Sequence, residues 1–222
     1  MSDKNDTFSP LSPYQLDQLS IIKNWLGTGS INFFGLLYSG KDTIGGKLAE
    51  HLGAKFFSSG DILRSSMSLL TPEAAKITNS GGITPTDEFS ALVPPYFAQP
   101  EIANIPLILS MVGRLPDEVN FIREVAASSG HHIKAVVNLF ITEQMVITRW
   151  EAAKNSTHRA GRADDRTLET VLHRIEEFKQ NVLPSIDIYR KLGLLIEINA
   201  EPDRSTVLAS TIESLCHFAL NH

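Results

Sequence analysis

The chain has 222 residues, and its 20 lysines and arginines against 25 aspartates and glutamates give a formal net charge of -5. That length allows one large domain with a small inserted lobe and disfavours two full-sized domains. The acidic balance lacks the basic surplus of a nucleic-acid-binding protein, so an anionic ligand must be met by a few cations brought together at one place.

The predicted elements begin after a polar tail with a helical pattern that starts at Ser12 and Pro13 and ends at Gly27. Five short apolar runs follow, at residues 31–37, 55–58, 105–110, 135–141 and 194–199. Such runs, rich in Ile, Val, Leu and Phe with little polar alternation, are typical of parallel strands buried on both faces. Helical patterns separate or follow them at residues 41–52, 87–97, 117–128, 143–154, 166–192 and 205–220. The sequence therefore predicts a helix-covered α/β fold.

The segment between the second and third runs is too long for one crossover helix. Its breaks at Thr71-Pro72, Gly81-Gly82 and Pro94-Pro95 predict a small helical lobe, which we place at residues 59–100. Residues 1–30 form a tail and an additional helix, and residues 31–222 form the main domain. No apolar run approaches the roughly 18 residues of a membrane span, and the single cysteine, Cys216, favours a reducing compartment. We expect a cytoplasmic monomer without a membrane or nucleic-acid partner.

The most informative segment reads GLLYSGKDT from Gly35 to Thr43. It places GxxxxGK between a predicted strand and a predicted helix, which is the context of a phosphate loop. Backbone N–H groups and the helix N-terminus can surround an anion there, and Lys41 can neutralise it. The sequence therefore predicts a nucleotide-phosphate site at Tyr38, Ser39, Gly40, Lys41, Asp42 and Thr43.

Asp42 is irregular for this motif, because Ser or Thr usually holds that position and ligates magnesium. Here the hydroxyl comes one residue later, at Thr43. A carboxylate beside phosphates is repulsive unless it faces away or reaches the water shell of the metal. The alternative is that Asp42 stabilises the first helical turn through the helix dipole.

Further motifs occur in the order in which the adenylate kinase family of nucleoside monophosphate kinases carries them. The family's GxPGxGKGT is similar to residues 35–43, STGDLLR to 58–64, LVP to 83–85, DGFPR to 110–114, and GRxDD to 161–165, with a following arginine at Arg174. The chain resembles this family over most of residues 31–220.

The resemblance implies a P-loop NTPase-type five-stranded parallel sheet in the order 2-3-1-4-5, an inserted lobe that binds the monophosphate, and a short lid near residues 151–163. It implies transfer of the γ-phosphoryl group of ATP, with Mg²⁺, to a nucleoside monophosphate, with AMP favoured. Lys41, Arg114, Arg162 and Arg174 would be catalytic and Arg149 would bind ATP. The monophosphate would contact Ser59, Arg64, Ile83, Thr84 and Glu118 together with Arg114, Arg162 and Arg174, while Asp164 and Asp165 would support the lid.

Several residues depart from the family pattern. Tyr38 replaces a phosphate-loop glycine, and Ser110 replaces the aspartate that holds magnesium-bound water. No direct protein ligand to magnesium is assigned: Thr43 or Ser110 could act through water, and Asp42, Asp61 and Asp87 are candidate substitutes. These departures leave open a catalytically weak or inactive nucleotide-binding regulatory protein, or a kinase of another small molecule.

The choice of base also stays open at the sequence level. Glu118 stands near the glutamine that reads adenine in the family. An ionised carboxylate only accepts hydrogen bonds, so it suits the N–H edge of guanine better than adenine. The competing interpretation of Glu118 is an exposed helix glutamate.

Overall fold

A computed structural model of the chain describes residues 8–79, 82–154 and 167–222. The α-helices and β-strands of these residues are, in chain order, α1 (Pro13–Leu26), β1 (Ser30–Phe34), α2 (Lys41–Leu52), β2 (Lys55–Ser58), α3 (Ser59–Ser65), α4 (Pro72–Asn79), α5 (Thr86–Phe97), β3 (Leu107–Ser110), α6 (Pro116–Ser128), β4 (Ile133–Phe140), α7 (Glu143–Lys154), α8 (Leu168–Glu177), α9 (Leu183–Lys191), β5 (Leu195–Asn199) and α10 (Arg204–Asn221). A π-helical turn, Phe178–Val182, joins α8 to α9.

The strands form one five-stranded sheet in the order β2-β3-β1-β4-β5, and every pair is parallel. The predicted sheet and its strand order are confirmed. Strand β1 lies at the centre, with its Phe33 in register with Ser110 of β3 and Val137 of β4. Because parallel strands end at the same edge, the segments that follow β1, β2 and β3 meet there, which is where open α/β sheets bind ligands.

The sheet is buried on both faces, as the apolar runs predicted. Ile31 and Phe33 pack into one core cluster with residues of α1, α2 and α10, whereas Phe34 packs into a second cluster with residues of α5, α6 and α9. Adjacent residues of β4 divide in the same way, with Val137 in the first cluster and Val136 in the second. The inner strands β1, β3 and β4 therefore need apolar side chains on both faces. The edge strand β5 differs, because its residues alternate between buried and exposed.

Element boundaries differ from the predictions at a few points. The first apolar run continues to Leu37, but β1 ends at Phe34 because Gly35, with φ 149°, begins a loop. Helices α3 and α4 were not predicted as separate elements. The predicted helix at residues 166–192 is interrupted by the π-turn just before Pro184, whose ring removes an N–H from the helical ladder.

Helix α1 begins at Pro13, as its sequence predicts. Ser12 caps this helix and forms a reciprocal capping box with Gln15 of the first turn. Among the described residues, none of the helices combines the length and apolar composition needed to cross a membrane.

Candidate active site

A cleft of about 470 Å³ opens at the carboxyl edge of the sheet. Its lining comes from the loop between β1 and α2, helix α3, the residues around Ile83, the turn after β3, and the junction of α8 with the π-turn. The positively charged residues of this lining are Lys41, Arg64, Arg114 and Arg174, and the negatively charged ones are Asp42 and Glu177. A chain of negative net charge thus gathers positive charge in one concave site, which suits an anionic ligand.

The loop after β1 has the backbone that a phosphate loop requires. A Cβ on Gly35 would lie 2.5 Å from the Leu139 carbonyl oxygen and 2.7 Å from Ser39 Oγ, so only glycine fits there. Gly40, with φ 85°, caps α2 from the left-handed region. The buried Ser39 Oγ has no hydrogen-bond partner within the described part of the chain. The loop therefore holds a hydroxyl that these residues leave unsatisfied, next to the N-terminus of α2, where the first N–H groups have no partner within the helix.

Tyr38 adopts φ 61°, the left-handed conformation that a glycine at this position would take easily. The loop therefore keeps a glycine-type backbone although it carries a tyrosine. Two contacts hold this strained residue: its carbonyl accepts a hydrogen bond from Arg149 Nη1 at 3.0 Å, and its side chain packs against the first core cluster.

The guanidinium of Arg149, which the sequence predicts to bind ATP, donates to main-chain carbonyls. Besides Tyr38, its guanidinium donates to the carbonyls of Ala200 at 2.7 Å, Glu201 at 2.9 Å and Pro202 at 3.3 Å. Burial lowers the pKa of this guanidinium, with Glu201 opposing the effect. Arg149 does not line the cleft among the described residues, so it acts as a brace between the phosphate loop and the loop after β5.

The turn after β3 is fixed by two neighbours from β1. Met111 has φ 57° and donates its N–H to the Phe33 carbonyl at 2.9 Å. The buried Asn32 amide donates to the Val112 carbonyl at 2.6 Å and its oxygen accepts the Val112 N–H at 3.4 Å. The turn therefore has a defined shape, although the family's Gly-Phe-Pro is replaced by Met-Val-Gly.

Arg114 is the next residue of this turn, and its backbone is held on both sides. Its N–H donates to Glu118 Oε2 at 2.7 Å, and its carbonyl accepts the Ser185 hydroxyl at 2.8 Å. Burial lowers the pKa of the Arg114 guanidinium, Glu118 and Glu177 oppose this, and nearby Arg174 adds to it. Arg114 and Arg174 both line the cleft.

Glu118 is not the exposed helix residue that one interpretation of the sequence suggested. Its side chain is buried, at 2 % exposure, and Oε2 also accepts the Leu115 N–H at 3.1 Å. Burial raises its pKa even though the two backbone N–H groups act in the opposite direction. The carboxylate satisfies the first N–H groups of α6, as a capping residue does, and it does not line the cleft.

The start of α3 presents Ser59 and Arg64 to the cleft. Ser58 and Asp61 form a capping box, and Asp61 Oδ1 accepts from Arg64 Nη2 at 2.7 Å. Burial would raise the pKa of Asp61, but the hydrogen bonds from Ser58 and the pairing with Arg64 outweigh it and lower the pKa. Asp61 therefore orients Arg64, which remains exposed on the cleft side.

The remaining predicted residues divide into two groups. Ile83 lines the cleft, whereas Thr84 is fully buried with its hydroxyl 2.9 Å from that of Thr78, so Thr84 supports the lobe from inside. Arg162, Asp164 and Asp165 lie outside the described residues, as does most of the predicted lid at residues 151–163.

Sequence reasoning missed three residues that shape the site. Asn32 and Ser185 hold the turn that carries Arg114, and Glu177 lines the cleft beside Arg174. The signal for Asn32 was available, because a buried amide inside an apolar strand needs hydrogen-bond partners. Nothing in the local sequence distinguishes Ser185 from an ordinary helix serine.

The oxygen donors of the cleft fit magnesium. Asp42, Thr43 and Ser110 all line it, and a carboxylate and two hydroxyls are the hard ligands that Mg²⁺ prefers, directly or through water. Within residues 8–79, 82–154 and 167–222 no group of three or more His, Cys, Asp or Glu side chains could hold a metal by itself. A magnesium ion here would therefore depend on phosphate oxygens as well.

A parallel sheet in this order, with a glycine-shaped loop and a lysine at the start of the helix after β1, defines a nucleotide-binding protein of the P-loop NTPase class. No protein-family model matches the chain. Curated relatives do: adenylate kinase 1 of Nostoc sp. is 31% identical over 79% of this chain and 92% of its own length, and the adenylate kinase of Corynebacterium glutamicum is 28% identical over 80% and 93%. A third, from Clavibacter michiganensis, is 30% identical over 72% of this chain and 80% of its own length. The chain belongs to the adenylate kinase family.

Proposed function

We propose that the protein transfers the γ-phosphoryl group of ATP to a nucleoside monophosphate, with AMP favoured, to give ADP and a nucleoside diphosphate. The observation that carries this proposal is the meeting of Lys41, Arg64, Arg114 and Arg174 in one cleft at the phosphate loop. Phosphoryl transfer needs this arrangement, because its transition state spreads negative charge over several oxygens and is stabilised mainly by positioned cations.

Each cation has a role that its position suggests. Lys41, the first residue of α2, would hold the β and γ phosphates at the helix N-terminus. Arg114 and Arg174 approach each other and would bind the phosphates of donor and acceptor with their planar forks. Arg64, oriented by Asp61, would bind the monophosphate. Magnesium bound with ATP would supply further neutralisation of the phosphate charge.

The inserted lobe and the lid also have proposed roles. We assign residues 59–100 as the monophosphate-binding lobe, because Ser59, Arg64 and Ile83 from this segment line the cleft opposite the phosphate loop. The lid at about residues 151–163 and its Arg162 remain part of the proposal. The preference for AMP rests on the adenylate kinase relatives, since the carboxylate of Glu118 is occupied by backbone N–H groups. We also propose a cytoplasmic monomer.

The test is a coupled assay with ATP, Mg²⁺ and each of AMP, GMP, CMP, UMP and dTMP. We expect the highest rate with AMP. Lys41→Ala should lower the rate by about 100- to 1000-fold, the usual effect of removing one donor that stabilises transition-state charge. Lys47→Ala is the matched control, since Lys47 lies on the same helix and pairs with the exposed Glu50 at 2.7 Å. Folded protein that forms no diphosphate from any acceptor would refute the proposal.

A second candidate is a regulatory protein that binds nucleotides without transferring phosphate. It is favoured by Tyr38 with φ 61° in the phosphate loop and by Ser110 in place of the family's aspartate. The same assay separates the two, because this candidate predicts nucleotide binding by calorimetry with no transfer. Transfer that Lys41→Ala abolishes would exclude it. A kinase of another small molecule would bind ATP while the monophosphates neither react nor compete.

A further inference from the structure

A hydrogen bond joins the phosphate-loop helix to the neighbouring strand end. Ser110 Oγ donates to Asp42 Oδ1 at 2.6 Å. Ser110 is the last residue of β3 and is 1% exposed, and Asp42 is the second residue of α2. Both side chains line the cleft. The carboxylate is thus held in a defined orientation at the helix end where phosphate would bind.

The pair consists of a hydroxyl and a carboxylate, the two kinds of group with which phosphate-loop proteins hold magnesium. In that class the residue after the loop lysine supplies a hydroxyl, and an aspartate at the end of a neighbouring strand supplies the carboxylate. Here the helix position carries the carboxylate and the strand position carries the hydroxyl. The adenylate kinase motif GKGT has glycine at the position of Asp42, and its threonine is kept here as Thr43. The difference from the family is therefore that the carboxylate lies on α2 and not at the end of β3.

The negative charge of Asp42 affects how a polyphosphate can bind at the start of α2. Asp42 lies in the first turn of α2, next to Lys41, so a bound polyphosphate would face a negative side chain. A carboxylate this close to phosphate oxygens repels them unless a cation lies between the two. The other candidate carboxylates are not placed for this: neither Asp61 nor Asp87 is among the described residues that line the cleft.

We propose that Asp42, oriented by Ser110, holds the hydrated magnesium ion of bound ATP, so that the metal-holding carboxylate has moved from the end of β3 to the start of α2. This inference rests on the proposed use of ATP. It gives Asp42 a ligand-holding role, directly or through water, in place of helix stabilisation alone. It makes Ser110 a positioning residue.

The test measures how much magnesium strengthens nucleotide binding, without any turnover. The full-length protein is titrated with a non-hydrolysable ATP analogue by calorimetry, once with Mg²⁺ and once with a chelator, and Mn²⁺ binding to the analogue complex is followed by electron paramagnetic resonance. Asp42→Asn should weaken magnesium-dependent binding by about 10- to 100-fold, the range found when groups that support a metal site are removed. In the chelator, Asp42→Asn should bind the analogue at least as tightly as the unmodified protein. Ser110→Ala should show the same change to a smaller degree.

The control is Glu50→Gln, which removes one negative charge from the same helix at an exposed position and should leave the magnesium effect unchanged. The double variant Asp42→Ser with Ser110→Asp returns the carboxylate to the strand and should recover most of the effect. If Asp42→Asn binds the analogue but keeps the full magnesium effect and the Mn²⁺ signal, the inference is overturned while the proposed function stands. If the unmodified protein binds no ATP analogue under either condition, both are overturned.

Discussion

Replacing Glu118 tests whether this carboxylate is a structural cap or a reader of the base. The structure shows its Oε2 accepting the N–H groups of Arg114 at 2.7 Å and Leu115 at 3.1 Å inside the protein. Glu118→Ala leaves both donors without that acceptor and releases the turn that carries Arg114. Glu118→Gln keeps an oxygen that can accept both bonds but removes the charge.

The expected magnitude follows from these two bonds. A hydrogen bond to a charged group contributes about 1.5–3 kcal/mol, and a buried donor left unsatisfied costs about 1–3 kcal/mol. Glu118→Ala should therefore lower the free energy of unfolding by about 3 kcal/mol, and Glu118→Gln by about half as much. For a chain of this size each kcal/mol corresponds to roughly 2–4 °C in melting temperature, so the alanine variant should melt about 6–12 °C lower.

The assay combines thermal unfolding with kinetics on AMP and GMP. Because Glu118 positions Arg114 and touches no base, its loss should lower the rates with both acceptors by the same factor. Asp117→Asn, which changes an exposed acid in the same first turn of α6, should cost less than about 1 kcal/mol. A Glu118→Gln protein of unchanged stability whose preference shifts from one base to the other would refute the capping interpretation.

Three further outcomes are expected. The folded-state pKa of Asp61 is lowered below the unfolded value near 3.8. The ionised carboxylate therefore stabilises the folded protein above pH 3.8, and this stabilisation is lost as the pH falls through the folded-state pKa. The urea midpoint of the unmodified protein should fall more steeply below about pH 4 than that of Asp61→Asn, and parallel curves would contradict this. Arg149→Lys, which cannot reach four carbonyls with one ammonium, should weaken binding of the ATP analogue and lower the melting temperature, while the same change at the exposed Arg190 should do neither. Tyr38→Val should destabilise the protein by at least about 1 kcal/mol more than Tyr38→Gly, since a β-branched residue fits poorly at φ 61°, and the reverse order in thermal melting would exclude backbone strain at this residue.

Much of the fold could be predicted from the sequence because its signals are local. Apolar runs without polar alternation correctly indicated a parallel sheet whose inner strands are buried on both faces, and the GxxxxGK segment correctly indicated the start of α2 at Lys41. Helices α3 and α4 were missed because each is short and carries no long apolar stripe. The π-turn was missed because it depends on how the ladder adapts to Pro184, which periodicity does not show.

The site could be predicted only as far as its motifs reach. Motif spacing named Lys41, Arg64, Arg114 and Arg174, and all four line the cleft. It could not show the direction of a side chain: Arg149 and Glu118 lie in the expected segments, yet both bind the backbone. Such assignments depend on which carbonyl or N–H group lies within reach after folding, and that is decided by contacts between residues far apart in the chain.

The two left-handed residues Tyr38 and Met111 indicate what the fold has kept while the side chains changed. Both occupy positions where the family has glycine, and both keep positive φ at a cost of about 1–3 kcal/mol each for such backbone strain. Each persists because neighbours over-determine it, Arg149 at the Tyr38 carbonyl and Asn32 beside Met111. Strained backbone of this kind is found mostly at active sites and ligand-binding segments. Its retention on two sides of one cleft supports the proposal that these loops still present their backbone to phosphate, with the carboxylate of Asp42 and the hydroxyl of Ser110 joined between them.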